Sequence, residues 1–180
     1  MGNIIEELKK LEIESISRDI HIVGSEKGKW IHEKILELKP KKILELGTAT
    51  GYSGIILGSE GAELVTIEKD NQRADEAKEN FKQFGINANI IIEDGVEIVN
   101  GITSNEKEAF DLIFIDFYKK RYFKVLEDCL KLVKIGGYII ADNITFEGCQ
   151  DYRNAILNDN RLKTEIINIK DGLSISKRLA

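Results

Sequence analysis

The stretch Lys42-Ile-Leu-Glu-Leu-Gly-Thr-Ala-Thr-Gly-Tyr-Ser-Gly54 restricts this chain more than any other. An apolar run able to bury as a strand carries Glu45 near its end, a turn holds Gly47 and Gly51, and Ile55-Ile56-Leu57 resumes the apolar pattern. Strand, tight loop and helix start, in that order, form the opening unit of a nucleotide-binding α/β domain. The glycine spacing narrows the ligand. A dinucleotide fingerprint needs G-x-G-x-x-G so that backbone can close on a pyrophosphate, and Ala49 stands where its second glycine would be. Glu45-x-Gly47-x-x-x-Gly51 is a different pattern, open to another nucleotide-derived ligand or to a purely structural turn.

The remaining periodicity extends that unit into a sheet. Glu63 to Asp70, Ala88 to Glu93, Phe110 to Asp116 and Tyr138 to Asn143 are short, near-continuous apolar runs. Helical patterns separate them: Asn71 to Phe84, Val96 to Val99, and Arg121 to Val133, the last broken by Gly136-Gly137. Such strands predict a parallel sheet covered on both faces. A polar loop is expected from Gly101 to Glu108. Upstream, Ile4 to Ile16 reads as an amphipathic helix with apolar positions including Leu8, Leu11 and Ile13, and Ser25 as the cap of a helix that Pro40 stops. At the other end Lys163 to Lys170 and Leu173 to Lys177 read as strands joined through Asp171-Gly172, a hairpin signal that predicts an antiparallel strand at the sheet edge.

At 180 residues the chain fits one domain, 1–180, with an N-terminal helical segment over 1–39 and an α/β core over 40–180. No apolar run approaches the roughly 18 residues of a membrane span, and the first residues lack a basic stretch leading into an apolar one, so a cytoplasmic protein without membrane association is expected. Cys129 and Cys149 have no metal-type spacing, which argues against structural zinc. A net charge of −5 argues against broad attraction to nucleic acid. Lys119, Lys120 and Arg121 offer either a local basic face or a solvated helix start. His21 and His32 lack a nucleophile partner, and no G-x-S-x-G elbow points to hydrolysis. Tyr52, Phe117 and Tyr118 are candidates to line a site, with core packing as the equal alternative; Trp30 reads as a helix-sheet anchor.

In an open α/β sheet ligands lie beyond the C-terminal ends of the strands. Glu68, Asp94, Asp116, Asp142 and Asn143 all fall at such ends. Glu68 follows Gly47 by about twenty residues, the spacing at which an acid on the second strand takes a ribose diol. Several carboxylates on one rim repel, and a cation would relieve them. Asp116, Asp142 and Asn143 are hard oxygen donors suited to Mg2+, with Mn2+ and Ca2+ as alternatives, while helix capping and turn formation are the structural reading of the same residues.

With those residues in hand, the chain resembles the metal-dependent catechol and caffeoyl-coenzyme-A type O-methyltransferases. Glu45 to Ser53 is similar to motif I of enzymes that use S-adenosylmethionine; Phe114-Ile-Asp-Phe-Tyr-Lys119 and Ala141-Asp-Asn143 add to the likeness, which runs from His21-Ile-Val-Gly-Ser-Glu-Lys-Gly28 to the end. The resemblance implies a Rossmann-like fold with a mostly parallel seven-stranded sheet, an antiparallel C-terminal strand and helices on both faces. It gives Val23, Gly47 and Ser53 to the methionine portion of S-adenosylmethionine, with Glu45 and Asp116 in the same cofactor-binding set. Glu68 would hold the ribose, and Asp94, Gly95 and Val96 would border adenine. Asp116, Asp142 and Asn143 match metal ligands, Lys119 and Asp116 the catalytic pair, and Glu165 an acidic residue that orients the acceptor.

The implied reaction is methyl transfer to a hydroxyl of a catechol-like or related small acceptor. The chain departs from the family pattern in a brief Ile144 to Arg161 segment and a short region before His21, regions that in the family help shape the acceptor pocket. That leaves two rivals: O-methylation of a modified tRNA hydroxyl, with phosphate contacts from Lys119 to Arg121, and a cofactor-binding module without turnover. A homodimer is one assembly the resemblance implies.

Overall fold

The computed structural model describes residues 3–103 and 107–180. Residues 104–106 of the expected Gly101 to Glu108 loop, and the first two residues of the N-terminal segment, lie outside the described residues; of that loop, residues 101–103 are helical. Seven strands run β1 (Lys42–Leu46), β2 (Glu63–Glu68), β3 (Ala88–Ile92), β4 (Phe110–Ile115), β5 (Val133–Asp142), β6 (Leu162–Ile167) and β7 (Leu173–Arg178). They form one sheet in the order β3-β2-β1-β4-β5-β7-β6. β7 is antiparallel to both β5 and β6, so the other six strands share a direction, as the α/β reading expects.

The expected edge position of the antiparallel strand is corrected. β7 lies inside the sheet between β5 and β6, and β6 forms the edge. Burial explains the order: Ser174, Ile175 and Ser176 of β7 are buried, while β6 alternates out to exposed Lys163 and Glu165. Residues 168–172 join the two strands, a longer link than a two-residue Asp-Gly turn, with Lys170 at φ +52° and Gly172 at φ +77°.

Gly136-Gly137 is corrected as well, because it lies within β5 rather than ahead of it. Between the pairs Phe110↔Val133 and Leu112↔Tyr138, β4 advances two residues and β5 five. Gly136 takes φ +82°, and a Cβ on Gly137 would stand 2.8 Å from the Asp111 carbonyl oxygen. The glycines let β5 carry its extra residues without leaving the sheet.

Helices α1 (Ile4–Glu7), α2 (Lys9–Ser17), α3 (Gly24–Leu38), α4 (Tyr52–Gly58) and α5 (Asn71–Gln83) cover one face; α6 (Gly95–Thr103), α7 (Tyr122–Leu132) and α8 (Gln150–Asn158) cover the other. Alternation along the strands sorts the core: Leu44, Leu46, Ile113 and Ile115 pack with α6 to α8, while Ile43, Leu112 and Phe114 pack with α1 to α5. The first helical stretch turns at Leu8, and its expected apolar position Ile13 is exposed along with Ile16. Ser25 is not a cap. Its N–H instead donates to Glu12 Oε1 at 2.9 Å, joining α2 to the start of α3. Trp30 is half-buried against the α3 side of the core, as its anchor reading expects. Among the described residues no helix is long and apolar enough to cross a membrane.

Candidate functional site

β1 and β4 are neighbours in the sheet, and the order reverses there: β2 and β3 extend to one side, β5 to the other. A crevice at such a switch point is where open α/β sheets bind ligands. Here it is narrow. Gly47, just past β1, takes φ +105°, and a Cβ on it would stand 2.0 Å from the Asp116 carbonyl oxygen, so only glycine lets these two tips approach. Gly47 N–H donates to Ile67 O at 3.0 Å and Asp116 N–H to Leu46 O at 2.8 Å, tying the tips of β2, β1 and β4 together.

The turn from Gly47 to Gly51 rests on two carboxylates of different character. Glu68, at the end of β2, accepts from Ala49 N–H at 2.9 Å on one oxygen and from Lys69 and Asp70 N–H at 3.0 Å on the other. It binds the turn directly and stays at the strand tip, nearly buried. Glu45 is fully buried beneath the same turn, accepting from Ser53 Oγ and Thr66 Oγ1, both at 2.6 Å. Burial pushes its carboxyl up to about 8, against the lowering effect of those two donors, and the charges of Asp116 and Glu68 add to the rise. Of the expected cofactor set, Glu45 therefore lies under the turn, joined to it through Ser53.

Asp94 follows β3, accepting from Val96 N–H at 3.0 Å and pairing with Arg121. Burial works against its ionisation, yet the Val96 and Arg121 hydrogen bonds hold it below the usual carboxylate range. A Cβ on Gly95 would meet the Phe117 ring at 3.6 Å, and that ring stacks on Tyr122 with centroids 5.5 Å apart. Asp94, Gly95 and Val96 thus pack against the segment after β4 that carries Lys119. Within the basic run, Lys119 pairs with Asp116 and Arg121 with Asp94, which leaves exposed Lys120 as a poor phosphate patch.

Asp116 and Asp142 follow or close the paired residues Ile115 and Ala141 of β4 and β5, so they stand side by side. Lys119 Nζ donates to Asp116 Oδ1 and, at 3.0 Å, to Tyr122 OH. Burial, then the charges of Asp116 and Asp142, raises the Tyr122 phenol well above its ordinary value and keeps it neutral. Burial, then the Asp116 charge, also pushes the Asp142 carboxyl up, against the hydrogen bond and charge of Lys27.

Lys27 is the residue that sequence reasoning missed. Its side chain is 2% exposed, and its ammonium donates to both Asp142 Oδ1 and Asp171 Oδ1. A lysine in the first turns of a helix reads as solvated, and only its position against two carboxylates marks it. Asp171, taken from sequence as a turn former, also accepts from Asn143 Nδ2 on its other oxygen. Asn143 itself takes φ +56° and donates its N–H to Asp142 Oδ1 at 2.7 Å.

Among the described residues no hydrogen bond takes Asp116 Oδ2, Asp142 Oδ2 or Asn143 Oδ1. Nor do three His, Cys, Asp or Glu side chains gather there as a metal-binding group. The expected ligands are two carboxylates and an amide, a donor set that suits a hard cation with water or substrate in its remaining positions.

Val23, Lys27, Asn143 and Asp171, with His21 and Lys170, line a cleft of about 290 Å³. It brings an expected cofactor residue and an expected metal ligand to one opening. A larger groove of about 380 Å³ along α5 and β3 holds none of the site residues. Tyr52 is fully buried and belongs to the core, whereas Tyr118 is exposed beside Lys119. Glu165 is exposed on the edge strand β6. His32 faces Glu60 at 3.4 Å and His21 is exposed.

Comparison with known proteins follows the same lines. A family model described as O-methyltransferase matches residues 2–179. Catechol O-methyltransferase B of Danio rerio is 32% identical over 176 residues, covering 86% of this chain and 64% of that protein, so the chain spans under two thirds of that relative. Caffeoyl-CoA O-methyltransferase of Populus kitakamiensis is 27% identical over 184 residues, covering 87% of this chain and 78% of that protein. A crystal structure of the O-methyltransferase from Bacillus cereus in complex with SAH superposes with a TM-score of 0.86 at 24% identity, covering 99% of this chain and 91% of that one.

Proposed function

The chain belongs to the O-methyltransferase family, and from that premise we propose that it transfers the methyl group of S-adenosylmethionine to a hydroxyl of a small, catechol-like acceptor, assisted by a divalent cation. One observation carries the reading. Asp116 and Asp142 end adjacent strands, each with one oxygen outside any hydrogen bond among the described residues, beside the Gly47 turn and Lys119.

The turn and strand tips hold the nucleoside. Glu68 takes the ribose hydroxyls while steadying Ala49, Asp94 to Val96 bound the adenine, and Val23, Gly47 and Ser53 enclose the methionine end, with Glu45 acting through Ser53. Asp116, Asp142 and Asn143 would hold Mg2+, with Mn2+ or Ca2+ as alternatives. When bound, the ion supplies charge that lowers the pKa of an acceptor hydroxyl.

Lys119 then steadies the oxyanion as an ammonium, which Asp116 and Tyr122 fix from two sides, or takes the hydroxyl proton as the neutral amine. Phe117, stacked on Tyr122, carries that geometry to the adenine side. The chain's main task is to align the acceptor oxygen with the methyl group at near-attack distance. Tyr118, next to Lys119, and Phe146, whose N–H donates to Asn143 O at 3.1 Å, are both exposed, and we assign the acceptor's ring to them. A cytoplasmic setting suits the two free, buried cysteines.

The test is transfer of labelled methyl to a panel of catechols, flavonoids, coenzyme-A esters and bulk RNA. Methylated catechol-type product supports the reading. Product on RNA alone, with binding that falls steeply as salt rises, would move the assignment to tRNA; cofactor binding with no product on any acceptor would leave a binding module.

A further inference from the structure

Lys27, Asp142, Asn143 and Asp171 come from three separate segments: the first turns of α3, the end of β5 and the β6–β7 connection. Together they form a closed set of bonds. Lys27 bridges Asp142 Oδ1 and Asp171 Oδ1, while Asp171 Oδ2 accepts from Asn143 Nδ2. An asparagine amide has two nearly isosteric ends, one a donor and one an acceptor, and which end points where is decided by its partners. With Nδ2 bound to Asp171, Oδ1 is the end left for a cation.

We propose that Asp171, held by Lys27, is a positioning residue that orients the Asn143 amide oxygen-outward and so completes the ligand set begun by Asp116 and Asp142. The inference rests on the reading above, in which those three residues hold a divalent ion. Lys27 has a double part. It neutralises Asp171 against burial, and it takes one Asp142 oxygen so that the other remains for the cation. A buried ammonium between two carboxylates has no evident advantage for stability over apolar packing, since desolvation offsets much of the attraction. Its use here is to set which oxygen atoms of Asp142 and Asp171 are taken up by hydrogen bonds and which are not. Because Lys27 lies one turn beyond Val23, the same contact ties the methionine end of the cofactor site to the cation site.

The experiment measures Mn2+ binding to the purified chain from the electron paramagnetic resonance signal of the free ion, without acceptor, alongside calorimetry of S-adenosylhomocysteine binding. Wild type binds Mn2+. Asp171→Leu removes the acceptor for Asn143 Nδ2, and its Mn2+ affinity falls by about tenfold or more, the usual effect of losing a group that orients a ligand, while S-adenosylhomocysteine binding is retained. Asp171→Asn keeps an acceptor oxygen and stays closer to wild type. The decisive variant adds Asn143→Asp to Asp171→Leu. A carboxylate offers an oxygen whichever way it turns, so binding recovers.

Wild-type affinity in Asp171→Leu, or no recovery in the double variant, overturns the positioning role while leaving the cation site in place. Absence of Mn2+ binding in wild type removes the cation reading itself, and the proposal with it. If Asp171→Leu fails to fold, Asp171→Ala, which also removes the acceptor, and its Asn143→Asp derivative take its place: no loss in the former, or a loss that the latter does not repair, counts against the proposal.

Discussion

Gly47→Ala meets the closest clash of any glycine-to-alanine change among the described residues. The new Cβ would lie 2.0 Å from the Asp116 carbonyl oxygen, where ordinary structures keep at least 3.0 Å, so the tips of β1 and β4 must part by at least 3.0 − 2.0 = 1.0 Å. The obstructing atom is backbone, so no side-chain rotation relieves it. At φ +105° an alanine also carries strain of about 1–3 kcal/mol. Parting the tips strains two hydrogen bonds, Gly47 N–H to Ile67 O and Asp116 N–H to Leu46 O, each worth about 1 kcal/mol.

Together these give a loss of about 3–5 kcal/mol, a large share of the roughly 5–15 kcal/mol that holds a typical domain folded. Gly61→Ala is the control, since Gly61 has φ +84° with nothing within 4 Å of a new Cβ, and it meets strain without a clash. Urea unfolding followed by circular dichroism measures both. The clash predicts a much larger fall in the midpoint for Gly47→Ala than for Gly61→Ala. If it folds at low temperature, methyl transfer falls about a hundredfold, because a displacement near 1 Å at reacting groups costs that much. Equal midpoints for the two variants would refute the reasoning.

Three further outcomes follow from the same geometry. Glu45 titrates near 4.5 in the unfolded chain and about 8 when folded, so the unfolded state releases its proton first and stability falls as pH rises between those values; Glu45→Gln flattens that slope in pH-dependent melts, and an unchanged slope would count against a buried, neutral Glu45. Glu68→Ala removes the acceptor for Ala49, Lys69 and Asp70 N–H and weakens S-adenosylhomocysteine binding by about tenfold or more in calorimetry; unchanged affinity removes the ribose assignment. Asp142→Ala leaves Lys27 with Asp171 alone and abolishes stimulation of turnover by Mg2+ with little effect on S-adenosylhomocysteine affinity; a variant still stimulated by the ion would remove Asp142 from the ligand set.

The parts of the fold legible in the sequence are those fixed by local chemistry. Gly47 and Gly51 both take positive φ, which is why the β1 turn could be read from glycine positions alone, and the apolar runs marked β1, β2, β4 and β5 because both faces of those strands are covered, while the edge strand β3 is only half-covered. The insertion of β7 between β5 and β6 depends on pairing between strands distant in sequence, which an Asp-Gly signal does not encode. Gly136-Gly137 looks the same to local reasoning whether it ends a helix or bends a strand; the close approach of Asp111 decides it.

The acids of the site were visible because strand ends locate Glu68, Asp94, Asp116 and Asp142. Lys27 and Asp171 were not, since a charged residue on a helix or in a turn has solvent as its ordinary partner. Their roles emerge only when α3 and the β6–β7 connection close on the same corner. Tyr52, adjacent to the turn in sequence, points to the core instead.

The proposed chemistry requires a cation held by Asp116, Asp142 and Asn143 to act on an acceptor hydroxyl, and the most direct measurement is the initial rate of labelled methyl transfer to catechol as Mg2+ is returned to chelator-treated protein. A rate that climbs from near background to a plateau, with S-adenosylhomocysteine affinity unchanged by the chelator, is the predicted result. A rate equal with chelator and with saturating Mg2+ would contradict it.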